Sequence, residues 1–227
     1  MTFQIEIQKL NLESRSFFHD TLFSLPPGVW ALCGPRGGGK TVLLSAMAGL
    51  VPFEGSVTLC DRRFTSWDAQ KANAQGVYMV PRVEALLPSR DVTENLFAGC
   101  ELKRFFWPDW KAMRAATSEL LARFSLDLPP WGVRVGDLSG GQRRMVALLV
   151  GLKRARRLLL LDEPLAMLGF GERRALSQLL VDVSALGVTV LMAASNPRDV
   201  APLVQGFWVV EGGALGGFLP PSNQVWW

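Results

Sequence analysis

A glycine-rich segment that ends in a lysine and a threonine is the part of this sequence best suited to chemistry. Gly34, Gly39, Lys40 and Thr41 have the spacing G-x-x-x-x-G-K-T, which is that of a phosphate-binding P-loop. Glycines let main-chain N–H groups turn inward around phosphate oxygens, and a following helix adds the positive end of its dipole. Lys40 supplies a point charge for the β- and γ-phosphates, and the Thr41 hydroxyl supplies a ligand for Mg²⁺. The alternative interpretation is a glycine-rich turn that happens to precede a lysine.

Two adjacent carboxylates, Asp162 and Glu163, follow the apolar run Leu158–Leu161. At the carboxyl end of a buried strand beside a P-loop, Asp162 can hold Mg²⁺ through water, and Glu163 can orient or deprotonate an attacking water. Taken alone, the pair is as typical of a solvated strand end or a helix cap. Its occurrence together with the P-loop favours the catalytic interpretation.

The apolar residues around these groups predict the elements that position them. The N-terminal residues predict short strands, the run Val29–Cys33 predicts a strand that leads into the glycines, and apolar residues recur at helical spacing after Lys40. Helices and apolar strands then alternate, which indicates a parallel sheet covered on both faces. The later predicted elements are helices over Lys111–Phe124, Gln142–Leu152 and Glu172–Leu186, strands over Leu158–Leu161 and Val188–Ala193, and a hairpin from Phe207, followed by a tail over Gly216–Trp227.

Composition narrows the class of protein. Hydrophobic residues make up 49% of the 227 residues and charged residues 19%, which excludes a disordered tail, a collagen-like rod and a coiled coil. The 24 basic residues exceed the 20 acidic ones by 24 − 20 = 4, and because this excess is spread along the chain, no nucleic-acid partner is expected. No stretch approaches the roughly 20 apolar residues of a membrane-spanning helix, and no secretion signal is predicted. Any membrane role is therefore expected to come through a partner.

The cysteines and the single histidine are predicted to be structural. Cys33, Cys60 and Cys100 are odd in number and far apart, which fits neither a disulfide framework nor a metal-binding pair. They are interpreted as reduced core residues of a cytosolic chain. His19 lies in the N-terminal strands and is interpreted as structural or solvated.

A third motif, Leu138-Ser139-Gly140-Gly141-Gln142, opens a predicted helix. Ser139 and Gln142 have the form of a capping box, so the simplest interpretation is a well-capped helix. However, the whole LSGGQ string lies between the P-loop and the Asp162-Glu163 strand end, and the chain also contains the stretch Asp91–Leu96. In these features the sequence resembles the ATP-binding cassette (ABC) ATPases over nearly its whole length.

This resemblance implies a fold and a domain organisation. The expected fold is an α/β P-loop NTPase with a mostly parallel sheet, helices on both faces, an N-terminal antiparallel β part and an inserted helical subdomain. We expect one nucleotide-binding domain over residues 1–227, with a core formed by 1–88 and 149–227 and a helical subdomain over about 89–148.

The resemblance also implies a function: the ATP-binding subunit of an ABC transporter, which binds and hydrolyses Mg-ATP at the cytoplasmic face of the membrane. Its expected partners are a separate membrane permease and a second cassette, which is either a copy of this chain or a different one. Two nucleotides would lie between the P-loop of one cassette and the LSGGQ helix of the other. The implied catalytic residue is Glu163, the implied metal ligands are Thr41 and Asp162, and the implied ATP-binding residues are Gly34, Gly37, Gly38, Gly39, Lys40, Thr41, Ser139, Gly140, Gly141 and Gln142.

Four positions depart from the pattern of the family. Arg82 occupies the place of a glutamine, Gly169 that of an aspartate and Ser195 that of a histidine. The aromatic residue that stacks on adenine is also missing from its place: direct counting reaches Leu12, and Phe17 or Phe18 is the alternative. Loss of one electrostatic contact to a transition state typically costs on the order of 10²–10³ in rate, so slow or partner-dependent hydrolysis is expected. The alternative function is a regulatory or assembly module that binds ATP without hydrolysing it.

Arg82 itself has two candidate roles: its guanidinium would contact phosphate, or it would pair with Glu163 and reduce its activity. It cannot ligate Mg²⁺, because it is a cation without an acceptor atom.

Two groups of aromatic residues have no assigned role. Phe105, Phe106, Trp107 and Trp110 either fill the core of the helical subdomain or anchor a coupling helix of the permease, as the resemblance implies. Trp226 and Trp227, at the C-terminus, are suited to a membrane surface or a partner.

Overall fold

The computed structural model describes residues 2–12 and 15–221. Its strands are β1 (Phe3–Leu12), β2 (Arg15–Leu25), β3 (Val29–Cys33), β4 (Glu54–Leu59), β5 (Arg62–Phe64), β6 (Val77–Val80), β7 (Lys103–Arg104), β8 (Trp107–Pro108), β9 (Leu158–Asp162), β10 (Thr189–Ala194), β11 (Phe207–Glu211) and β12 (Ala214–Leu219). Its α-helices are α1 (Lys40–Met47), α2 (Ala69–Ala74), α3 (Val92–Phe97), α4 (Trp110–Arg123), α5 (Gly140–Arg154), α6 (Phe170–Ala185) and α7 (Pro197–Val200). The C-terminal pair Trp226 and Trp227 lies outside the described residues.

The main sheet has the strand order β12-β11-β3-β10-β9-β6. All neighbours pair in parallel except β12, which pairs antiparallel to β11 at one edge. The carboxyl ends of β3, β9 and β10 therefore lie side by side. This arrangement brings the loop after Cys33, the carboxylate of Asp162 and the segment after Ala194 to one edge of the sheet.

The N-terminal strands form a second, antiparallel sheet with the order β2-β1-β4-β5. Alternate residues of the main sheet serve two separate cores. In β9, Leu158 and Leu160 pack with the antiparallel sheet and α1, whereas Leu159 and Leu161 pack against the helices on the other face. All four are fully buried, as expected for a parallel strand covered on both sides. The predicted α/β fold with an N-terminal antiparallel part is confirmed.

The residues between β6 and α5 contain the helices α3 and α4, joined by loops and a hairpin. Helix α3 begins with a capping box in which Asp91 accepts from the main-chain nitrogen of Glu94 and Glu94 accepts from that of Asp91. A short β7–β8 hairpin precedes α4, and α5 runs without a break from Gly140 to Arg154. The boundary expected near residue 148 falls inside α5, and the division into subdomains remains a prediction.

Two sequence-based expectations about the fold are wrong. The segment Gly216–Leu219, expected in a C-terminal tail, belongs to β12 and pairs with β11. Cys33 is buried, but Cys60 and Cys100 are exposed rather than in the core. Cys60 and Asp61 form the two-residue turn between β4 and β5, both with positive φ (50° and 61°), and such a turn lies at the surface.

Burial raises the pKa of the Cys33 thiol to about 12, so this thiol is held in its neutral form.

His19 is exposed, and its Nε2 lies 2.5 Å from the hydroxyl of Ser16. In residues 2–12 and 15–221 the helices are all too short or too polar to cross a bilayer.

Candidate functional site

The glycine-rich segment connects β3 to α1 and is held closely against β11. Gly34 has φ +146°, and a Cβ atom there would lie 2.1 Å from the carbonyl oxygen of Val210, so a larger residue cannot be accommodated without moving the backbone. Gly39 precedes α1 with φ +109°, and a Cβ atom there would lie 3.2 Å from ring atoms of Phe17 and Phe18. The sequence thus requires glycine at both ends of the loop.

The side chain of Lys40 folds back over the loop. Its Nζ donates to the carbonyl oxygens of Gly34 at 2.6 Å and Pro35 at 2.9 Å. Burial lowers the pKa of Lys40, an effect that the nearby carboxylate of Glu163 opposes. The two carbonyl partners carry no net charge, so the ammonium retains its attraction for an anion.

Thr41 and Asp162 meet across the sheet edge. The Thr41 hydroxyl donates to both carboxylate oxygens of Asp162, at 3.1 Å each. Asp162 is buried at the end of β9, and its burial raises the pKa of the carboxyl, which the hydrogen bond from Thr41 partly opposes. A hydroxyl and a carboxylate are oxygen ligands of the type that Mg²⁺ prefers.

Glu163 is held by a main-chain contact to β10 and a side-chain contact to the segment after it. Its φ is +47°, an uncommon conformation for a residue other than glycine. Its main-chain nitrogen donates to the carbonyl oxygen of Ala193 at 3.0 Å. The Ser195 hydroxyl donates to Glu163 Oε1 at 2.5 Å. Ser195, at the position of the family's histidine, is therefore hydrogen-bonded directly to the candidate base.

These groups surround a cavity of about 200 Å³. Its lining contains Arg15, Phe17, Arg36, Gly37, Gly38, Gly39, Lys40, Thr41, Val42, Arg82, Glu163 and Ser195. Arg82 thus shares the cavity with Glu163, and the described residues contain no ion pair between them.

The candidates for an adenine-stacking residue differ in position. Phe17 lines the cavity and lies 5.6 Å, ring centroid to guanidinium carbon, from Arg15. Phe18 is fully buried in the core beside α1, and the side chain of Leu12 is outside the lining of the cavity. Phe17 is the candidate that the geometry favours.

Arg144 is a residue of the site that sequence reasoning missed. Its side chain is 1% exposed, and it extends from α5 to the ends of two strands of the main sheet. Nη1 donates to the carbonyl oxygen of Pro81 at 2.6 Å, and Nη2 donates to that of Asp162 at 2.6 Å. Burial lowers the pKa of Arg144. The one available signal was its helical spacing, because Arg144 lies on the same face of α5 as Gly141 and Leu148, both buried.

The LSGGQ segment forms a second, separate group. Ser139 caps α5: its hydroxyl accepts from the main-chain nitrogen of Gln142 at 3.1 Å, and Gln142 Oε1 accepts from that of Ser139 at 3.0 Å. None of the residues 138–142 belongs to the described lining of the P-loop cavity. A single chain therefore does not bring the two groups together.

Gly169, at the position of the family's aspartate, precedes α6. A Cβ atom there would lie 2.8 Å from Oε2 of Glu172.

Comparison with known proteins agrees with this geometry. Residues 18–166 match the family model described as ABC transporter. The chain belongs to the ABC transporter family. ATPase activity is typical of this family.

Curated ABC relatives match most of the chain. It is 31% identical over 188 residues to a xylose import ATP-binding protein, XylG, of Photobacterium profundum, a match that covers 82% of this chain and 37% of that protein. It is 30% identical over 190 residues to a ribose import ATP-binding protein, RbsA, of a Chelativorans species, with 82% and 36% covered. The chain therefore spans little more than a third of the length of these relatives.

Solved ABC cassettes have the same fold. A nucleotide-free ATP-binding cassette from an ABC transporter superposes with a TM-score of 0.82 at 19% identity, covering 98% of this chain and 93% of the other. The ADP conformation of another cassette superposes with a TM-score of 0.78 at 18% identity, covering 97% and 91%.

Proposed function

We propose that this chain is the ATP-binding subunit of an ABC transporter and that it binds Mg-ATP in the P-loop cavity. The observation that carries the proposal is the convergence of Lys40, Thr41 and Glu163 on that cavity, at the edge of the sheet where Asp162 ends β9. Of the proposed ligands, Gly34 shapes the loop, and Gly37, Gly38 and Gly39 line the cavity beside the start of α1. Their main-chain N–H groups suit a polyphosphate.

The residues at this site fit a magnesium-bound triphosphate. Lys40 would hold the β- and γ-phosphates by charge, and Phe17 offers a ring face for adenine. Thr41 and Asp162 would hold Mg²⁺, which neutralises phosphate charge when it is bound. The hydrogen bonds from Thr41 to Asp162 already place the two oxygen-bearing side chains together.

We propose that the complete site needs a second cassette. Ser139, Gly140, Gly141 and Gln142 form a capped helix start outside the P-loop cavity, so we place them against the triphosphate of a neighbouring cassette in a head-to-tail pair. The same pair would pass its closing motion through the helical subdomain, residues 89–148, to a separate permease. This function places the chain at the cytoplasmic face of the membrane.

Glu163 is proposed as the base that orients or deprotonates the attacking water. Ser195 donates to one of its oxygens, which leaves the other oxygen to accept from water. Ser195 is thereby a positioning residue for Glu163. A hydroxyl that donates to a carboxylate favours its charged form and makes it a weaker base, so we expect slow or partner-dependent hydrolysis.

That same contact favours a second candidate function, a module that binds ATP and changes shape without hydrolysing it. Glu163 is bonded to Ser195, and the Arg82 cation shares its cavity. The two functions share the binding step and differ in turnover. The two functions are separated by measuring ATP binding and ATP hydrolysis on one preparation of the chain with the membrane proteins that co-purify with it.

Titration calorimetry with ATP and saturating Mg²⁺ tests the binding step. Lys40→Ala should weaken ATP about 10- to 100-fold, because a charge-assisted contact is lost. Lys111→Ala, an exposed lysine on α4, is the matched control and should bind like the unaltered chain. Absence of ATP binding by the unaltered chain with its membrane partners, or equal affinity in both variants, refutes the proposal.

A further inference from the structure

Three of the four most exposed aromatic side chains of the described residues lie on one hairpin, which we call the aromatic hairpin (Lys103–Trp110). Phe105 is 88% exposed, Phe106 92% and Trp107 78%, and Trp110 is 46% exposed at the start of α4. Sequence reasoning left open whether these rings fill the core of the helical subdomain. The structure rules out that interpretation for Phe105, Phe106 and Trp107, because their surfaces face solvent.

The hairpin projects from the fold. Strands β7 and β8 form a two-stranded sheet of their own, with Arg104 opposite Trp107 and Lys103 opposite Pro108. Phe105 and Phe106 are the two residues of the turn, and Phe105 has φ +58°, a strained conformation for a bulky residue. Two phenyl rings are thus held at the tip of a turn, where a small polar residue would cost less. Such strain at an exposed position points to a function of the rings themselves.

The charges around the rings are predominantly basic. Residues 101–114 contain four basic side chains, Lys103, Arg104, Lys111 and Arg114, against two acidic ones, Glu101 and Asp109. The carboxylate of Asp109 accepts from the main-chain nitrogen of Ala112 at the start of α4, and that of Glu101 accepts from the nitrogen of Gly99. All four basic side chains are exposed, and Lys103 and Arg104 directly precede the aromatic tip in the chain.

We propose that the aromatic hairpin inserts its tip into the headgroup region of a membrane that contains anionic lipids. Aromatic rings are enriched at the level of the headgroups, and each nearby lysine or arginine is attracted to an anionic surface. A projecting tip with basic flanks suits this soft, negatively charged layer better than a protein partner, which would have to supply a matching pocket for three adjacent rings. The contact would supplement the attachment through a permease and is independent of ATP binding.

Flotation of the purified full chain with lipid vesicles tests the proposal. The chain should float with vesicles of phosphatidylcholine and phosphatidylglycerol, and far less with phosphatidylcholine alone or in 1 M salt, because salt screens the basic flanks. Phe106→Ser should lower the fraction bound about tenfold. Phe170→Ser is the matched control and should leave binding unchanged, since Phe170, at the start of α6, is nearly as exposed (88%) as Phe106.

A charge pair and a spectroscopic readout complete the experiment. Lys103→Gln with Arg104→Gln should weaken binding to the anionic vesicles about 25-fold, because each basic residue contributes about fivefold. Lys9→Gln with Arg134→Gln, both exposed elsewhere, should leave binding unchanged. Brominated lipids should quench tryptophan fluorescence in the unaltered chain, and Trp107→Phe should remove most of that quenching.

Failure of the unaltered chain to bind anionic vesicles overturns the proposal, as does an equal loss for Phe106→Ser and Phe170→Ser. The same holds if the hairpin substitutions abolish capture of a membrane protein and leave vesicle binding intact, because the occupant is then a protein. ATP binding measured on the same variants should be unchanged, which keeps this result separate from the test of the P-loop site.

Discussion

Replacement of Arg144 by methionine is the most direct test of how the site is held together. The guanidinium joins α5 to the ends of β6 and β9 through two hydrogen bonds of 2.6 Å, to the carbonyl oxygens of Pro81 and Asp162. Arg144→Met keeps a long apolar side chain on the buried helix face but removes both bonds. The two carbonyl oxygens then lose these donors in a buried region.

The expected magnitude follows from this geometry. Loss of each buried partner costs about 1–3 kcal/mol, so two lost bonds cost about 4 kcal/mol. Part of this cost is offset, because the variant no longer has to bury a charged guanidinium. The Nε atom of that guanidinium has no hydrogen-bond partner among the described residues. We expect a net loss of about 3 kcal/mol in the free energy of unfolding and a Tm lower by about 6–12 °C for a chain of this size.

Urea unfolding followed by circular dichroism provides the measurement. Arg144→Lys should give an intermediate loss, because one ammonium cannot span both carbonyl oxygens as a guanidinium does. Arg174→Met, an exposed arginine on α6, should stay within about 0.5 kcal/mol of the unaltered chain. If Arg144→Met unfolds at the same urea concentration and with the same slope as the unaltered chain, the proposed link between helix and sheet contributes no stability.

Three further results are expected. Glu163→Gln keeps an oxygen that accepts from Ser195 and should retain ATP binding while hydrolysis falls by at least 10²-fold; undiminished phosphate release would exclude Glu163 as the base. Arg82→Gln should raise the rate of hydrolysis and its dependence on Mg²⁺, and an unchanged rate would show that Arg82 takes no part. The pKa of Asp162 is raised in the folded chain, so the unfolded state binds fewer protons, and stability should fall as pH rises from the ordinary aspartate value through the raised one. In urea titrations without Mg²⁺, Asp162→Asn should remove this decrease in the free energy of unfolding. If the variant and the unaltered chain have the same dependence of stability on pH, Asp162 is not the group responsible.

Much of the fold could be predicted because its signals are local. The apolar run before Asp162 predicted β9 to within one residue, and the capping box at Ser139 marks a start of α5 two residues before the predicted one. The position of Asp162 beside the P-loop followed from the rule that parallel strands end at one edge of the sheet, and there Asp162 accepts from Thr41. In each case the prediction came from a short pattern or from a simple rule of strand arrangement.

The remaining features depend on contacts between distant residues. β12 was missed because Gly216 and Gly217 weaken the strand pattern, and its pairing with β11 overrides that weakness. The burial of Arg144 was missed because a charged side chain is normally predicted to face solvent, and only the carbonyl oxygens at two strand ends make its burial favourable. The bond between Ser195 and Glu163 likewise joins two loops that sequence spacing cannot place in contact.

The approach of the C-terminal strand pair to the glycine-rich loop has a consequence for biosynthesis. The carbonyl oxygen of Val210 lies where a side chain of Gly34 would be, and the nitrogen of Gly213 donates to the carbonyl oxygen of Gly38 at 3.0 Å. Both supports are translated long after the segment that they hold in shape. A nascent chain that ends at residue 166, where the match to the family model ends, therefore contains the phosphate-binding motif but lacks the contacts from Val210 and Gly213. Competence to retain nucleotide should emerge late, when the β11–β12 hairpin leaves the exit tunnel.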